Sequence, residues 1–236
     1  MIETFAALLL GHVLADFVLQ TDGMVDRKSR WWVLILHGLI VYGATALTAG
    51  HPVSVEIALL SFAHLAIDTV KSACKDDRFH HFILDQAAHF ATLVAVAVLA
   101  PDLWSTGLWS AHPAIPAIML LTAGAIFAVR AGGFAIDKLL ATVETPEITE
   151  PGLPNAGALI GVLERFLIYL LILAGQPAGV GFLIAAKSVL RFSSTQDGNQ
   201  RQISEYIIVG TLASFGWAMT VAFGVEALLT ELPPIF

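Results

Sequence analysis

Histidine and aspartate recur four residues apart in three apolar segments of this 236-residue sequence. The segments read GHVLADFVLQ, HLAIDTVK and HHFILDQAAH. Residues four apart lie on one face of an α-helix, so each segment is predicted to place an imidazole beside a carboxylate. In the first segment, Gln20 continues the polar face four residues after the aspartate. The three pairs are His12–Asp16, His64–Asp68 and Asp85–His89.

These side chains have the chemistry of a metal site. Imidazole nitrogen and carboxylate oxygen without sulfur suit zinc, manganese or iron, and zinc is favoured here. The candidates exceed the four ligands of one tetrahedral zinc. Two carboxylate-bridged metals therefore remain open, as does one metal with the other groups in supporting hydrogen bonds. The predicted metal ligands are His12, Asp16, His64, Asp68, Asp85 and His89.

Four residues are assigned catalytic or positioning roles. A water activated by the metal needs a proton acceptor, and either Asp16 or Asp68 is predicted to act as the general base instead of a ligand. Lys71 and Gln20 are predicted to orient the substrate.

The surroundings of these groups are those of a membrane protein. The sequence is 57% hydrophobic and 13% charged, whereas a soluble domain averages about a quarter charged residues. Several apolar blocks reach the roughly 20 residues that span a bilayer. An ionised side chain at mid-bilayer costs about 2.5–3.5 kcal/mol, so the His and Asp groups must pair, neutralise, meet water or bind metal. A proton or cation pathway and a purely structural hydrogen-bond network are the alternatives to a metal site.

The apolar blocks predict an all-α polytopic bundle of about eight spans. Residues 1–100 form a four-span domain that carries the His/Asp pairs, and residues 101–236 form a C-terminal four-span region with a cytoplasmic loop at 139–155. The fifth span is predicted to break near Arg130. The predicted spans are 3–21, 31–49, 53–71, 82–100, 115–136, 156–174, 176–192 and 205–229.

Basic residues predict the orientation of these spans. Arginines and lysines cluster in alternate connections, whereas the connections near 51, 107 and 176 contain none. Cytoplasmic loops are enriched in basic residues, so both termini are predicted to lie outside. All three His/Asp pairs then lie towards the cytoplasmic leaflet, with His37 at the same level.

A second polar cluster follows in GALIGVLERFLIYLL. Glu164 and Arg165 lie in this apolar span, and Lys187 and Arg191 lie four residues apart in the next. They could form a basic pocket for a phosphate or carboxylate head group, with Glu164 orienting the arginine. Interhelical salt bridges and snorkelling of the basic side chains are the alternatives. The small residues Gly157 and Gly161 predict close helix packing.

Other classes of protein are excluded by motif. The single cysteine, Cys74, allows neither an internal disulfide nor a cysteine cluster. The sequence has no dinucleotide fingerprint, no phosphate loop and no nucleic-acid-binding pattern.

The segments GHVLADFVLQTD, HLAIDTVK and FILDQAAH together resemble the signatures of a bacterial membrane family known as domain of unknown function 3307. The resemblance covers roughly residues 5–100 and extends to GALIGVLERFLI, AAKSVLRF and EYIIVGTLAS. It implies a bacterial inner-membrane protein and carries no activity. A similarity to membrane metal-dependent hydrolases is one of site type only.

The leading hypothesis is an inner-membrane metalloenzyme that hydrolyses a phosphate or acyl bond in a lipid-linked or amphipathic substrate. Membrane lipid is the expected partner, nucleic acid is not, and a homo-oligomer stays open. The alternatives are a transporter that relays protons or cations through the same groups and a scaffold that binds a partner through the 139–155 loop.

Overall fold

Helices make up both compact units of the molecule. The computed structural model describes residues 1–27, 30–73, 78–143, 155–192 and 200–233, and these ranges contain helices and connections but no strand. Unit 1 comprises residues 1–126 and 227–236, and unit 2 comprises residues 127–226. The predicted all-α class is thereby confirmed.

The helices of unit 1 carry all three His/Asp pairs. Within it, α1 packs against α3, α5 and α6, while α4 packs against α3 and α5. The segments are α1 Ile2–Leu14 with a π-helical turn Ala15–Leu19, α2 Asp22–Val25, α3 Trp31–Ala49, α4 Val55–Ala73, α5 Phe79–Leu99, a 3-10 turn Pro101–Leu103 and α6 Ile115–Ile126.

The helices of unit 2 carry the second polar cluster. They are a π-helical turn Phe127–Ala131, α7 Gly132–Leu140, α8 Ala156–Leu173, α9 Ala178–Phe192 and α10 Gln200–Leu229, of which the residues from 227 on belong to unit 1.

Every predicted span corresponds to a helical segment, and six of these are long and apolar enough to cross a membrane. The chain is therefore a helical membrane protein, and about eight spans agrees with the structure. Helix α4 is not one of these six candidate spans because it contains three charged residues, Glu56, Asp68 and Lys71. Helix α9 has 15 residues, fewer than the roughly 20 that a span needs.

The predicted break in the fifth span is wrong. The helical segment runs without a gap over Ile115–Leu140, and a π-helical turn at Phe127–Ala131 occupies the position of the expected interruption. A π-turn widens the helix by one residue and keeps the chain hydrogen-bonded, so the Gly132–Gly133 pair does not end it.

Three of the sequence predictions concern parts of the chain outside the described residues. They are those for Cys74, for residues 144–154 of the predicted loop, and for the side chain of Arg191.

Two glycines bring the helices of unit 1 close together beside the histidines. A Cβ on Gly11 of α1 would lie 2.7 Å from the Thr45 Cα of α3. A Cβ on Gly38 of α3 would lie 2.6 Å from a Leu65 methyl carbon of α4. Each glycine is the sequence neighbour of a histidine, His12 or His37. The tight packing at these two glycines accompanies the contacts between imidazoles of different helices.

Candidate metal centre

The His and Asp side chains meet at one end of unit 1. Asp16 lies in the π-helical turn that extends α1, and His37 lies in the first half of α3. The pair on α4 lies near the end of that helix, and the pair on α5 lies near its start. Because neighbouring helices run in opposite directions, these positions fall at the same level. The side chains buried there are His12, His37, His64, Asp68, Asp85 and His89.

Four residues of the site, which we call the quartet, bring one donor atom each close together. They are Asp16, His37, His64 and Asp68. The Nε2 atoms of His37 and His64 are 3.1 Å apart. Asp16 Oδ1 lies 3.3 Å from the first of these nitrogens and 3.2 Å from the second. Asp68 Oδ2 completes the group at 3.3 Å and 3.7 Å from the same two nitrogens.

Five of the six distances between the donor atoms of the quartet are close to the edges of a tetrahedral metal site. Zinc binds imidazole nitrogen and carboxylate oxygen at about 2.0–2.1 Å, which places neighbouring corners of the tetrahedron about 3.3 Å apart. Five edges of the quartet measure 3.1–3.7 Å. The two imidazoles of the quartet and either of its carboxylates thus lie at distances that suit a single divalent ion.

Three further residues, the flanking group, surround the quartet: His12, Asp85 and His89. The His89 ring centroid lies 4.2 Å from that of His64 and 5.1 Å from that of His12. His12 Nδ1 lies 3.8 Å from Asp16 Oδ2.

The donor atoms combine into three possible ligand sets, each with its atoms within 4.8 Å of one another. His64 and Asp68 each belong to two of these sets. The sets are His12/Asp16/His64, His37/His64/Asp68 and Asp68/Asp85/His89.

Several buried polar atoms of the site lack a hydrogen-bond partner among the described residues. They include His12 Nδ1, Asp85 Oδ1 and His89 Nε2. His89 Nδ1 donates to the Asp85 carbonyl at 2.9 Å, so in neutral His89 the Nε2 atom carries the free lone pair. A buried polar atom without a partner costs about 1–3 kcal/mol. Buried nitrogen and oxygen atoms of this kind are donors that a bound cation would satisfy.

Lys71 lies within the site. Its Nζ atom donates to Asp85 Oδ2 at 2.7 Å, and Gln86 Nε2 donates to the same oxygen at 3.1 Å. Its predicted role of orienting a substrate stays a prediction.

Gln20 follows the end of the helical segment, and its predicted role of orienting the substrate stays a prediction. The π-helical turn ends at Leu19, and Gln20 has an extended backbone with ψ of 112°. The polar face of α1 therefore includes His12 and Asp16 but does not continue to Gln20. The cause is the extra residue of the π-turn, a feature common at functional sites, which here widens the helix around Asp16.

His37 is the ligand candidate that the spacing pattern missed. No Asp or Glu lies four residues before or after it. Two features of the sequence could have identified His37 as a ligand candidate. They are its predicted level in the bilayer and its neighbour Gly38, which allows α3 to pack closely on Leu65 of α4.

The charged residues of the second polar cluster, in unit 2, form two separate sets of contacts. Lys187 Nζ donates to Glu164 Oε2 at 2.7 Å and lies 5.6 Å from the Phe215 ring centroid. This pair is a salt bridge between α8 and α9, the alternative noted for Glu164. An anion pocket would have to compete with Glu164 for this lysine, and such a pocket stays a prediction.

Arg165 of α8 forms hydrogen bonds with two other segments of unit 2. Its Nε donates to the Val129 carbonyl in the π-turn at 3.2 Å, and its Nη1 donates to Ser214 Oγ of α10 at 3.2 Å. A Cβ on Gly161 would lie 3.0 Å from Nη1, whereas a Cβ on Gly157 would meet no atom within 4 Å. Gly161 therefore makes room for the guanidinium of its own helix, and the predicted packing face does not include Gly157.

Replacing Gly132 with alanine is expected to destabilise unit 2. The new Cβ would lie 2.7 Å from Trp217 Cδ1 and 2.9 Å from Arg165 Cδ. Overpacking of this kind costs about 1–3 kcal/mol. Thermal unfolding in detergent would show a lower midpoint for Gly132→Ala, with Gly157→Ala as the matched control because its Cβ enters open space. An unchanged midpoint for Gly132→Ala would contradict the arrangement of the arginine and the indole.

Comparison with known proteins supports the resemblance that the motifs indicate. Residues 4–113 match the model of the family described as "Protein of unknown function (DUF3307)". The resemblance drawn from the motifs is therefore confirmed over a range that contains the quartet and the flanking group. The match ends before α6, so the similarity of the later segments stays a prediction. No curated protein and no solved structure matches the chain.

Proposed function

We propose that this protein is a metal-dependent hydrolase of the bacterial inner membrane, which acts on a lipid-linked or amphipathic substrate at the cytoplasmic leaflet. Zinc is the favoured ion, with manganese and iron as alternatives. The observation that supports the proposal is the quartet, two imidazole nitrogens and two carboxylate oxygens with five of their six mutual distances near those of a tetrahedral site.

A metal explains the quartet better than hydrogen bonds do. His37 Nε2 lies within 3.1–3.3 Å of three different acceptor atoms, on Asp16, His64 and Asp68. One N–H group directs its proton at a single acceptor, so a hydrogen-bond network leaves the other contacts unsatisfied. A cation among the four donor atoms interacts with several of them at once.

The protein would supply a defined set of roles around the ion. When bound, a divalent ion acts as a Lewis acid and makes water a nucleophile near neutral pH. Catalytic sites keep one coordination position open, so one carboxylate of the quartet serves as the general base instead. Asp16, the more exposed of the two carboxylates at 10%, is the better candidate to receive the proton.

The position of the site supports the leaflet and the substrate class. Arg27, Arg30 and Arg78 lie in the connections at the site's end of unit 1, whereas the connections at 50–54 and 100–114 contain no lysine or arginine. By the positive-inside rule, we expect the site's end to be cytoplasmic and both termini to lie outside. Leu19 and Leu84, which lie close in sequence to the site residues, are exposed. Their lipid-facing surface suits a substrate with an apolar part.

The buried residues between the site and the opposite end of unit 1 argue against a transport path. Between the quartet and the opposite end, the buried described residues of α1, α3, α4 and α5 include hydroxyl side chains but no ionisable ones. A proton or cation relay needs such groups along its length. The buried ionisable side chains of these four helices therefore lie at one end of unit 1.

Metal content and hydrolysis measured together test the proposal. Wild-type protein, purified without chelator and placed in lipid nanodiscs, is expected to contain metal and to hydrolyse an amphipathic phosphate monoester or acyl ester. Chelation should abolish hydrolysis, and zinc should restore it. His37→Ala should lose both metal and activity, whereas alanine at the exposed His112 should change neither. Wild-type protein without metal, or hydrolysis that survives chelation, would refute the function.

A further inference from the structure

We infer that the ammonium group of Lys71 takes the place of a second divalent cation beside the quartet. The wild-type centre then holds one metal ion, and a second site formed by Asp68, Asp85 and His89 is latent. This inference rests on the proposed function and specifies the composition of the same site.

The latent site has the donors that a metal requires. The donor atoms of Asp68, Asp85 and His89 lie within 4.8 Å of one another, and all three residues are buried. His89 Nε2 is an imidazole nitrogen without a hydrogen-bond partner among the described residues, on a side chain that is 1% exposed. Its ring is held by the bond from Nδ1 to the Asp85 carbonyl, which leaves Nε2 as the donor available to the set.

Lys71 already supplies positive charge to this set. Its Nζ lies 2.7 Å from Asp85 Oδ2, whose side chain is 4% exposed, while the lysine side chain itself is 31% exposed. Lys71 follows Asp68 by three residues on α4, so both side chains lie on the same face of the helix. A buried carboxylate needs a nearby cation, and a lysine ammonium is a compact point charge that can serve as one.

Charge balance favours one metal ion together with the lysine. The site contains three carboxylates, on Asp16, Asp68 and Asp85, and its histidines are neutral when they act as ligands. One divalent ion and Lys71 cancel these three negative charges. A second divalent ion added to the lysine would leave an excess of two positive charges in a membrane-embedded site, where uncompensated charge is costly.

Replacing Lys71 with methionine is expected to open the latent site. The methionine keeps most of the length of the side chain but removes the charge, so Asp85 becomes available to a metal. After equilibrium dialysis against buffered zinc, elemental analysis should give about one ion per chain for the wild type and about two for Lys71→Met. Lys71→Arg keeps the charge and should remain at one ion.

Further variants keep the test decisive. Adding Asp85→Asn to Lys71→Met should return the count to one ion, and Lys71→Gln gives a second neutral variant if the methionine protein does not fold. Two ions in the wild type, or one ion in both neutral variants, would overturn the inference and leave the proposed function intact. A wild-type protein that binds none of zinc, manganese and iron would instead remove the proposed function and this inference with it.

Discussion

Alanine at His64 is expected to lower metal affinity by more than about 100-fold, since loss of a supporting outer partner alone already costs about 10–100-fold. His64 Nε2 contacts the other three donors of the quartet, at 3.1 Å, 3.2 Å and 3.7 Å. The residue also belongs to two of the possible ligand sets. Competition with a chromophoric chelator, together with elemental analysis, would measure the loss.

A graded comparison shows whether this effect belongs to the quartet. His12 lies in the flanking group, 3.8 Å from Asp16, so His12→Ala should weaken metal binding by only about 10–100-fold. Alanine at the exposed His112 should leave affinity unchanged. A larger loss for His12→Ala than for His64→Ala would move the centre away from the quartet.

Alanine at Gly11 is expected to damage both stability and metal binding. Its Cβ would lie 2.7 Å from the Thr45 Cα and 2.9 Å from the Thr48 hydroxyl. Because one of these neighbours is backbone, α1 and α3 must move apart, at a cost of about 1–3 kcal/mol. The same movement separates Asp16 from His37, whose donor atoms are 3.3 Å apart. Thermal unfolding in detergent and metal content would record the two losses.

The matched control for this variant is Gly43→Ala on α3. A Cβ on Gly43 meets no atom within 4 Å, so neither the unfolding midpoint nor the metal content should fall. Normal metal content in Gly11→Ala would show that the close contact between α1 and α3 does not determine the geometry of the site.

The membrane class and its spans could be predicted because they depend on local properties. A span needs a long apolar block, and the blocks in this sequence correspond to helices in the structure. The fifth span shows the limit of the argument. A Gly-Gly pair beside Arg130 is a typical helix breaker, but a π-turn keeps the segment helical, and its Val129 carbonyl bonds to Arg165.

The pairing within each helix could also be predicted. A spacing of four residues places His64 beside Asp68 on any helix, and their Nε2 and Oδ2 atoms lie 3.7 Å apart in the fold. The four-residue spacing does not describe Gln20, because the π-helical turn that contains Asp16 ends at Leu19 and Gln20 has an extended backbone.

By itself, the sequence determined a helical membrane protein with His/Asp pairs at one level of the bilayer, since apolar length and four-residue spacing act within single segments. Only the tertiary structure decided that His37 joins the quartet and that Lys71 pairs with Asp85. It also decided that Arg165 bonds to the π-turn, separately from the Glu164–Lys187 salt bridge. These contacts join different helices. They depend on which faces approach most closely, and in unit 1 the approach beside the histidines is made possible by the missing side chains of Gly11 and Gly38.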